Sequence, residues 1–212
     1  MANLSLQIVV LLAVFYIVQL FYSPTFTDLL QLSPQLVLSQ PWRLVSSVFL
    51  HDPADITHIL LNSFALIMFG SVLERVITKK DYLMIFFGAG ILGGLLYWLT
   101  YVLGIIGPLP ALGASGSIYG ILGALAVLLP DMTIMIFFFF PLKMRYAAIF
   151  WFFLELVGIT QTSVSGIASA GHLGGLIFGL LYAYFVIKKR PLIVSPSAPQ
   201  PSSYYQPPPP AW

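Results

Sequence analysis

The stretch ASAGHLGGLIFGLLYAYFVIKKR, residues 168–190, decides how the chain must fold. From Ala168 to Ile187 it holds no Asp, Glu, Lys or Arg, and Lys188, Lys189 and Arg190 then close it. A hydrocarbon core about 30 Å thick needs about 20 mostly apolar helical residues per crossing. The stretch therefore reads as a membrane-spanning helix with its basic end in the cytoplasm, the side where Lys and Arg collect. Two features break the apolar run. His172 lies near the other end, and an ionisable group inside a bilayer is costly enough to be a functional candidate. Gly171, Gly175 and Gly179 recur at every fourth position on an adjoining face, letting another backbone approach closely.

The same reading extends over the rest of the chain. Of its 212 residues, 59% are hydrophobic and 8% charged, against roughly 25% charged in an average soluble protein, which excludes a water-soluble globule. Five more apolar runs, at about residues 6–22, 56–73, 82–103, 115–129 and 144–159, join 168–187 to make six spans. The first stops at Ser23-Pro24; no basic residue precedes it and no small-x-small site follows, so it reads as a span and not as a signal peptide. The expected fold class is an all-α membrane protein, a bundle of six transmembrane helices over residues 1–190. Residues 191–212 turn to Pro, Ser, Gln and Tyr, with the run Pro207–Pro210, and read as a disordered cytoplasmic tail. Asp131-MTIMIFFFF-Pro141 is apolar but too short to span, and reads as an interfacial hairpin or a re-entrant piece. The connection from Ser23 to Thr57, with four prolines, exceeds ordinary loop lengths and so is either functional or disordered.

Charge and cysteine content narrow the chemistry. Nine basic and seven acidic residues leave a net charge of +2, without the basic patch a nucleic-acid partner requires. The absence of cysteine removes disulfides, thiolate metal sites and thiol nucleophiles, so covalent chemistry must come from hydroxyls or histidine. Arg75, Lys79 and Lys80 fall between spans two and three, Lys143 and Arg145 between four and five, and Lys188, Lys189 and Arg190 after six. Only Arg43 falls on the other side. The expected topology is multi-pass in a cell membrane, both termini cytoplasmic, with the starts of spans four and six toward the outer face.

Four polar residues then share one depth. His58 and Asn62 stand at i and i+4 on one face of span two. Ser115 opens span four within Gly113-Ala114-Ser115-Gly116, and His172 lies near the outer end of span six. A serine needs a base to act as a nucleophile, and a neutral imidazole is the usual one. Acyl transfer also needs donors where negative charge develops, and Asn62, His58 and the Ser115 N–H can supply them. That set is complete for hydrolysis without any carboxylate. Gly90-xxx-Gly94, Gly116-xxx-Gly120 and Gly175-xxx-Gly179 let helices dock closely, which predicts that Ser115 and His172 are neighbours and that Tyr119, one turn after Ser115, packs on the His172 ring. Singly, each residue reads equally as packing or interhelical glue; the conjunction points to chemistry. Glu155, well inside span five, leaves three options open: protonated, hydrogen-bonded within the bundle, or near the outer water. Asp131 reads as an interfacial charge. Histidines at 51, 58 and 172 without an acid pair make a poor zinc site, and no metal or cofactor is expected.

His58-xxx-Asn62, Gly113-Ala114-Ser115-Gly116, Tyr119 and His172-xx-Gly175-xxx-Gly179 together resemble the rhomboid intramembrane serine proteases, a likeness covering about Trp42 to Phe185. It implies a rhomboid-like six-span bundle, a Ser115–His172 dyad, and an oxyanion hole made by His58, Asn62 and the Ser115 amide, supported by Gly113, Gly116, Tyr119, Gly175 and Gly179. Trp42-Arg43 resembles the family's dipeptide in the loop after the first span, a loop partly embedded in the outer leaflet. Glu74 is similar to a structural acidic residue at the inner end of span two. His51 resembles a histidine upstream of the oxyanion-hole histidine, but the separation from His58 is longer than in the familiar bacterial form, and His51 stays outside the catalytic set. The resemblance further implies an endopeptidase that cuts transmembrane protein substrates within the lipid bilayer, with movement of span five and of the loop over the site admitting them. Two other readings share these features. One is an inactive rhomboid-like protein that binds client spans, which would not need both Ser115 and His172. The other is a small transporter, although the chain has no obvious inverted repeat and the site lies near one face.

Overall fold

Asn3 starts the first helix by accepting a hydrogen bond from the Leu6 N–H at 2.9 Å, using one of the amide donors that a helix start leaves unpaired. The computed structural model describes residues 3–136, 139–162 and 168–189. The proline-rich stretch 191–212 lies outside the described residues, as do residues 163–167 of the connection before the last helix. In chain order the elements are α1 (Leu4–Tyr22), α2 (Thr25–Leu30), α3 (Arg43–Ser46), α4 (Ile56–Leu73), α5 (Lys79–Val102), α6 (Ser115–Leu128), β1 (Thr133–Ile136), β2 (Phe140–Lys143), α7 (Met144–Gly158) and α8 (Ser169–Ile187).

The helices α1, α4, α5 and α8 are each long and apolar enough to cross a membrane. At 1.5 Å per residue, α6 with 14 residues and α7 with 15 rise only about 21 and 22 Å, short of a core about 30 Å thick. For α6 the shortfall is tolerable because other helices enclose it: Ile118, Gly120, Ile121, Leu122, Gly123, Ala124 and Leu125 are all buried. The outward faces are apolar instead, with Val10, Val14 and Ile17 exposed on α1, Leu60, Leu61 and Phe64 on α4, and Phe153 and Val157 on α7. With six principal helices among the described residues, the chain is an all-α, multi-pass integral membrane protein.

Lipid tails are as apolar as leucine, so the bundle rests on close packing and interhelical hydrogen bonds rather than on water exclusion. A Cβ on Gly175 or Gly179 of α8 would run into the Gly116 or Gly120 carbonyl of α6, and one on Gly174 would lie 2.9 Å from the Gly93 Cα of α5. Backbones therefore touch along α5, α6 and α8. Polar bonds tie the other end of the bundle. The Glu74 carboxylate accepts the Leu4 and Ser5 N–H groups at 2.8 and 3.3 Å, placing a negative charge on the positive end of the α1 dipole. Ser5 bonds to Tyr82 at 2.8 Å, and the Tyr182 hydroxyl donates to Asp81 at 2.9 Å.

The described residues give form to two segments whose character the sequence left open. The long connection after α1 is organised around Arg43, 3% exposed, whose Nη1 donates to the Asp28 and Gln31 carbonyls, both at 2.7 Å, and whose Nε donates to Gln40 at 2.6 Å. The apolar segment after α6 is an antiparallel hairpin, with Thr133 opposite Lys143 and Ile136 opposite Phe140. Asp131 closes its base through Lys143 at 3.1 Å and the Arg145 guanidinium. Those hydrogen bonds, that from Lys143 foremost, hold the Asp131 carboxyl below the ordinary carboxylate range. Beside the hairpin, α7 packs loosely: a groove of about 310 Å³ runs between it and α6 and α8, lined by Ala126, Ala148, Ile149, Phe152 and Leu180.

Candidate active site

Ser115 is the first residue of α6, after Ala114 as N-cap. The residue before that, Gly113, has φ +126°, a conformation that L side chains rarely adopt, and a Cβ there would also lie 2.8 Å from His58 Nε2 and 3.7 Å from Ser115 Oγ. Glycine at this position keeps the space between the histidine and the serine open. The Gly113 N–H donates to the Ser47 carbonyl at 3.0 Å, which pins the loop against the turn at Ser47–Phe49. The N–H groups of the first turn of α6 have no partner within their own helix and sit at its positive end.

His172 comes from the first turn of α8. Its Nε2 lies 2.8 Å from Ser115 Oγ, and its Nδ1 lies 3.0 Å from Glu155 Oε1. The Tyr119 ring stacks on the imidazole with centroids 4.5 Å apart and planes 5° from parallel. The Tyr119 hydroxyl donates to the same Glu155 oxygen that faces His172. The His172 and Glu155 side chains are 13% and 7% exposed. The close backbone contact between α6 and α8 is what brings serine and imidazole to hydrogen-bond distance.

His58 occupies the first turn of α4, which Asp55 caps by accepting the Thr57 N–H at 2.9 Å. The Asp52 N–H points at His58 Nδ1 at 3.5 Å, a weak bond that favours the tautomer with its proton on Nε2, the nitrogen facing Gly113. Asn62, one turn further on, is 7% exposed and donates from Nδ2 to the His58 carbonyl at 2.8 Å. His51 is wholly buried, with its ring edge-on to His58 at 5.0 Å, and neither of its ring nitrogens has a hydrogen-bond partner among the described residues. Burial, with His58 beside it, lowers the His51 pKa to about 3, so the ring is neutral. A cavity of about 40 Å³ opens beside Ser115 and His172, lined also by Ser47, Gly90 and Tyr97; a water needs only about 10–15 Å³ measured this way.

The structure thus brings together the hydroxyl and the imidazole that the sequence singled out, with His58 across the Gly113 gap and Asn62 bonded back to His58. One member of the cluster was not assigned from sequence. Of the readings open for Glu155, hydrogen bonding within the bundle is shown, to Tyr119 and His172. Its signal in the sequence is an ionisable residue in an otherwise apolar span, whose partner the spacing alone does not indicate. Among the described residues no group of three or more His, Asp or Glu could hold a metal ion.

Comparison with known proteins agrees with the motifs. A sequence profile of the Rhomboid domain matches residues 38–189. The chain is 30% identical over 158 residues to the rhomboid protease GlpG of Haemophilus influenzae, covering 72% of this chain and 73% of that protein. It is 28% identical over 149 residues to the putative rhomboid protease YdcA of Bacillus subtilis, covering 70% and 69%. To the rhomboid protease GluP of Bacillus subtilis it is 32% identical over 145 residues, which are 67% of this chain but 25% of that longer protein. The matched region contains the hydroxyl, both facing histidines and the glycine-lined helix contact, and the chain belongs to the rhomboid family.

Proposed function

We propose that the protein is an intramembrane serine endopeptidase that hydrolyses peptide bonds in or near the transmembrane segments of other membrane proteins. The observation that carries this reading is the 2.8 Å contact between Ser115 Oγ and His172 Nε2, the nucleophile–base pair that acyl transfer requires. Ser115 Oγ bonds to the scissile carbonyl carbon while its proton passes to His172 Nε2. The oxyanion that forms meets the Ser115 N–H, the His58 Nε2–H and the second N–H of Asn62, each donor contributing about 3–4 kcal/mol to the transition state. His172 then gives its proton to the departing amide nitrogen, and water held near Ser115 repeats the cycle on the acyl-enzyme.

Membrane depth supports the same reading. If the inner end of α6 lies at the inner edge of the hydrocarbon, a helix rising about 21 Å leaves Ser115 about 9 Å below the outer edge. Eight of the nine basic residues lie toward the opposite ends of the helices, which favours both termini in the cytoplasm and a site open to the outside. On this reading residues 1–190 form the catalytic domain and 191–212 a cytoplasmic tail. A substrate span must unwind locally, because an intact helix shields its carbonyls.

Reconstitution with a reporter transmembrane substrate tests the proposal: wild-type protein cleaves it, Ser115→Ala and His172→Ala do not, and a serine-directed phosphonate labels the wild type alone. Cleavage that persists in a clean Ser115→Ala preparation overturns the mechanism.

A further inference from the structure

We infer that Glu155 is a positioning residue for the reaction, acting through His172 as the third group of a Ser115–His172–Glu155 chain. The inference rests on the serine-protease reading above and goes beyond the Ser–His pair that the family resemblance implies.

Three observations converge on the carboxylate. Glu155 is the sole acidic residue of α7 and is 5% exposed, in a helix whose outward side chains Ile149, Phe153, Leu154 and Val157 are apolar. A carboxylate in that position is retained at a cost and needs compensating donors. Its hydrogen-bond partners are His172 and Tyr119, and both belong to the Ser115 site. Tyr119 also stacks on His172 at 4.5 Å, so the imidazole is held in its plane by the ring and in its rotation by the carboxylate.

The chemistry follows from the bonding pattern. An ionised Glu155 only accepts, which on this proposal places the His172 proton on Nδ1 and turns the Nε2 lone pair to the Ser115 hydroxyl. This is the tautomer that can take the serine proton. When Ser115 Oγ bonds to the carbonyl carbon and its proton moves to Nε2, the ring carries both protons and a positive charge. Glu155, 3.0 Å from Nδ1, faces that charge and remains ionised throughout. The proton later leaves from Nε2 to the amide nitrogen. Glu155 therefore exchanges no proton with the substrate; it selects the tautomer and opposes the charge that develops. A purely structural carboxylate would need neither the contact with Nδ1 nor a tyrosine shared between itself and the base.

The test compares wild type, Ser115→Ala, Glu155→Gln and Glu155→Asp in proteoliposomes. It measures kcat and KM on a reporter substrate, the rate and final extent of phosphonate labelling, and the melting midpoint. The expected result for Glu155→Gln is a fall of about 10²–10⁴-fold in kcat with KM within threefold, by analogy with removing the triad carboxylate of soluble serine proteases. Labelling of Glu155→Gln proceeds slowly but to the wild-type extent, which separates a disabled base from a misfolded protein. Glu155→Asp, which keeps the charge, recovers part of the lost kcat. A Glu155→Gln protein that turns over within threefold of wild type overturns the positioning role and leaves the protease reading intact. Loss of labelling extent and of melting midpoint in step with kcat also overturns it, in favour of a structural role. A wild type that neither cleaves nor labels overturns both readings.

Discussion

An alanine at Gly175 would set its Cβ against the Gly116 carbonyl group of α6, 2.8 Å from the carbon and 3.2 Å from the Gly116 Cα, with the oxygen closer still. Non-bonded carbons rest at about 3.5–4.0 Å, and a main-chain carbonyl cannot swing aside as a long side chain can. Relief must come from the helices, with α8 backing away from α6 by on the order of 1 Å. His172 stands three residues before Gly175 and travels with α8. The Ser115–His172 contact of 2.8 Å then stretches to about 3.8 Å, past hydrogen-bond range. Misplacement of a catalytic group by about 1 Å costs about 10²-fold in rate, and overpacking costs about 1–3 kcal/mol of stability. The measurement is kcat/KM on a reconstituted reporter substrate, taken below the melting midpoint, with Ser115→Ala as background. Gly107→Ala is the control, since a Cβ there meets nothing within 4 Å, and it should match wild type. A Gly175→Ala protein within threefold of wild type, or a Gly107→Ala protein as impaired as Gly175→Ala, refutes the view that backbone contact sets the serine–imidazole distance.

Three further outcomes are expected. Asn62→Ala lowers kcat by about 10²-fold at most with KM unchanged, because in the proposed mechanism the Ser115 N–H and His58 remain as oxyanion donors; a raised KM at full kcat would place Asn62 in ground-state binding. Glu74→Ala frees the Leu4 and Ser5 N–H groups at the start of α1 and destabilises by about 1–2 kcal/mol. The expected readout is a lower melting midpoint in detergent with kcat unchanged at permissive temperature, and an unmoved midpoint would refute the capping role. His51 supplies a pH signature. Its folded pKa of about 3 lies below the ordinary 6.5, so below pH 6.5 the unfolded chain binds a proton that the folded chain does not. Stability from this group is complete above pH 6.5 and declines as pH falls toward 3, by about 2 kcal/mol at pH 5. The wild-type midpoint should drop between pH 7 and pH 5 by more than that of His51→Phe, and parallel declines would show that His51 does not titrate as buried.

What could be read from the sequence was what helical period and charge placement encode locally. His58 and Asn62 share a face by spacing alone, and the paired glycines at 116/120 and 175/179 point to a close contact between the helices that carry Ser115 and His172, which is the contact the structure has. Arg43, Glu74 and Glu155 were less legible because their partners are far along the chain: Arg43 reaches back to Asp28 and Gln31, Glu74 to Leu4 and Ser5, and Glu155 to Tyr119 and forward to His172. For Glu155, the rotation of α7 about its own axis decides between lipid and imidazole, and a single charge in an apolar helix does not specify that rotation. The hairpin was ambiguous for a similar reason, since Asp131 pairs with Lys143 and Arg145 only once the strands have closed.

The loosely packed helix α7 carries the carboxylate that faces His172. Its outer side is bare of protein, and the groove of about 310 Å³ along its flank leaves it less tightly seated than the glycine-bonded trio of α5, α6 and α8. An outward excursion of about an ångström would part Glu155 from Nδ1 while Ser115 and His172, both on the closely packed trio, stayed together. On the role proposed for Glu155, the arrangement would work as an interlock. A polypeptide that slipped in by parting α7 from its neighbours would meet a disarmed base, and the cut would wait until the wall had shut behind it. Residence time in the closed state, more than the ease of getting in, would then decide which visitors are severed.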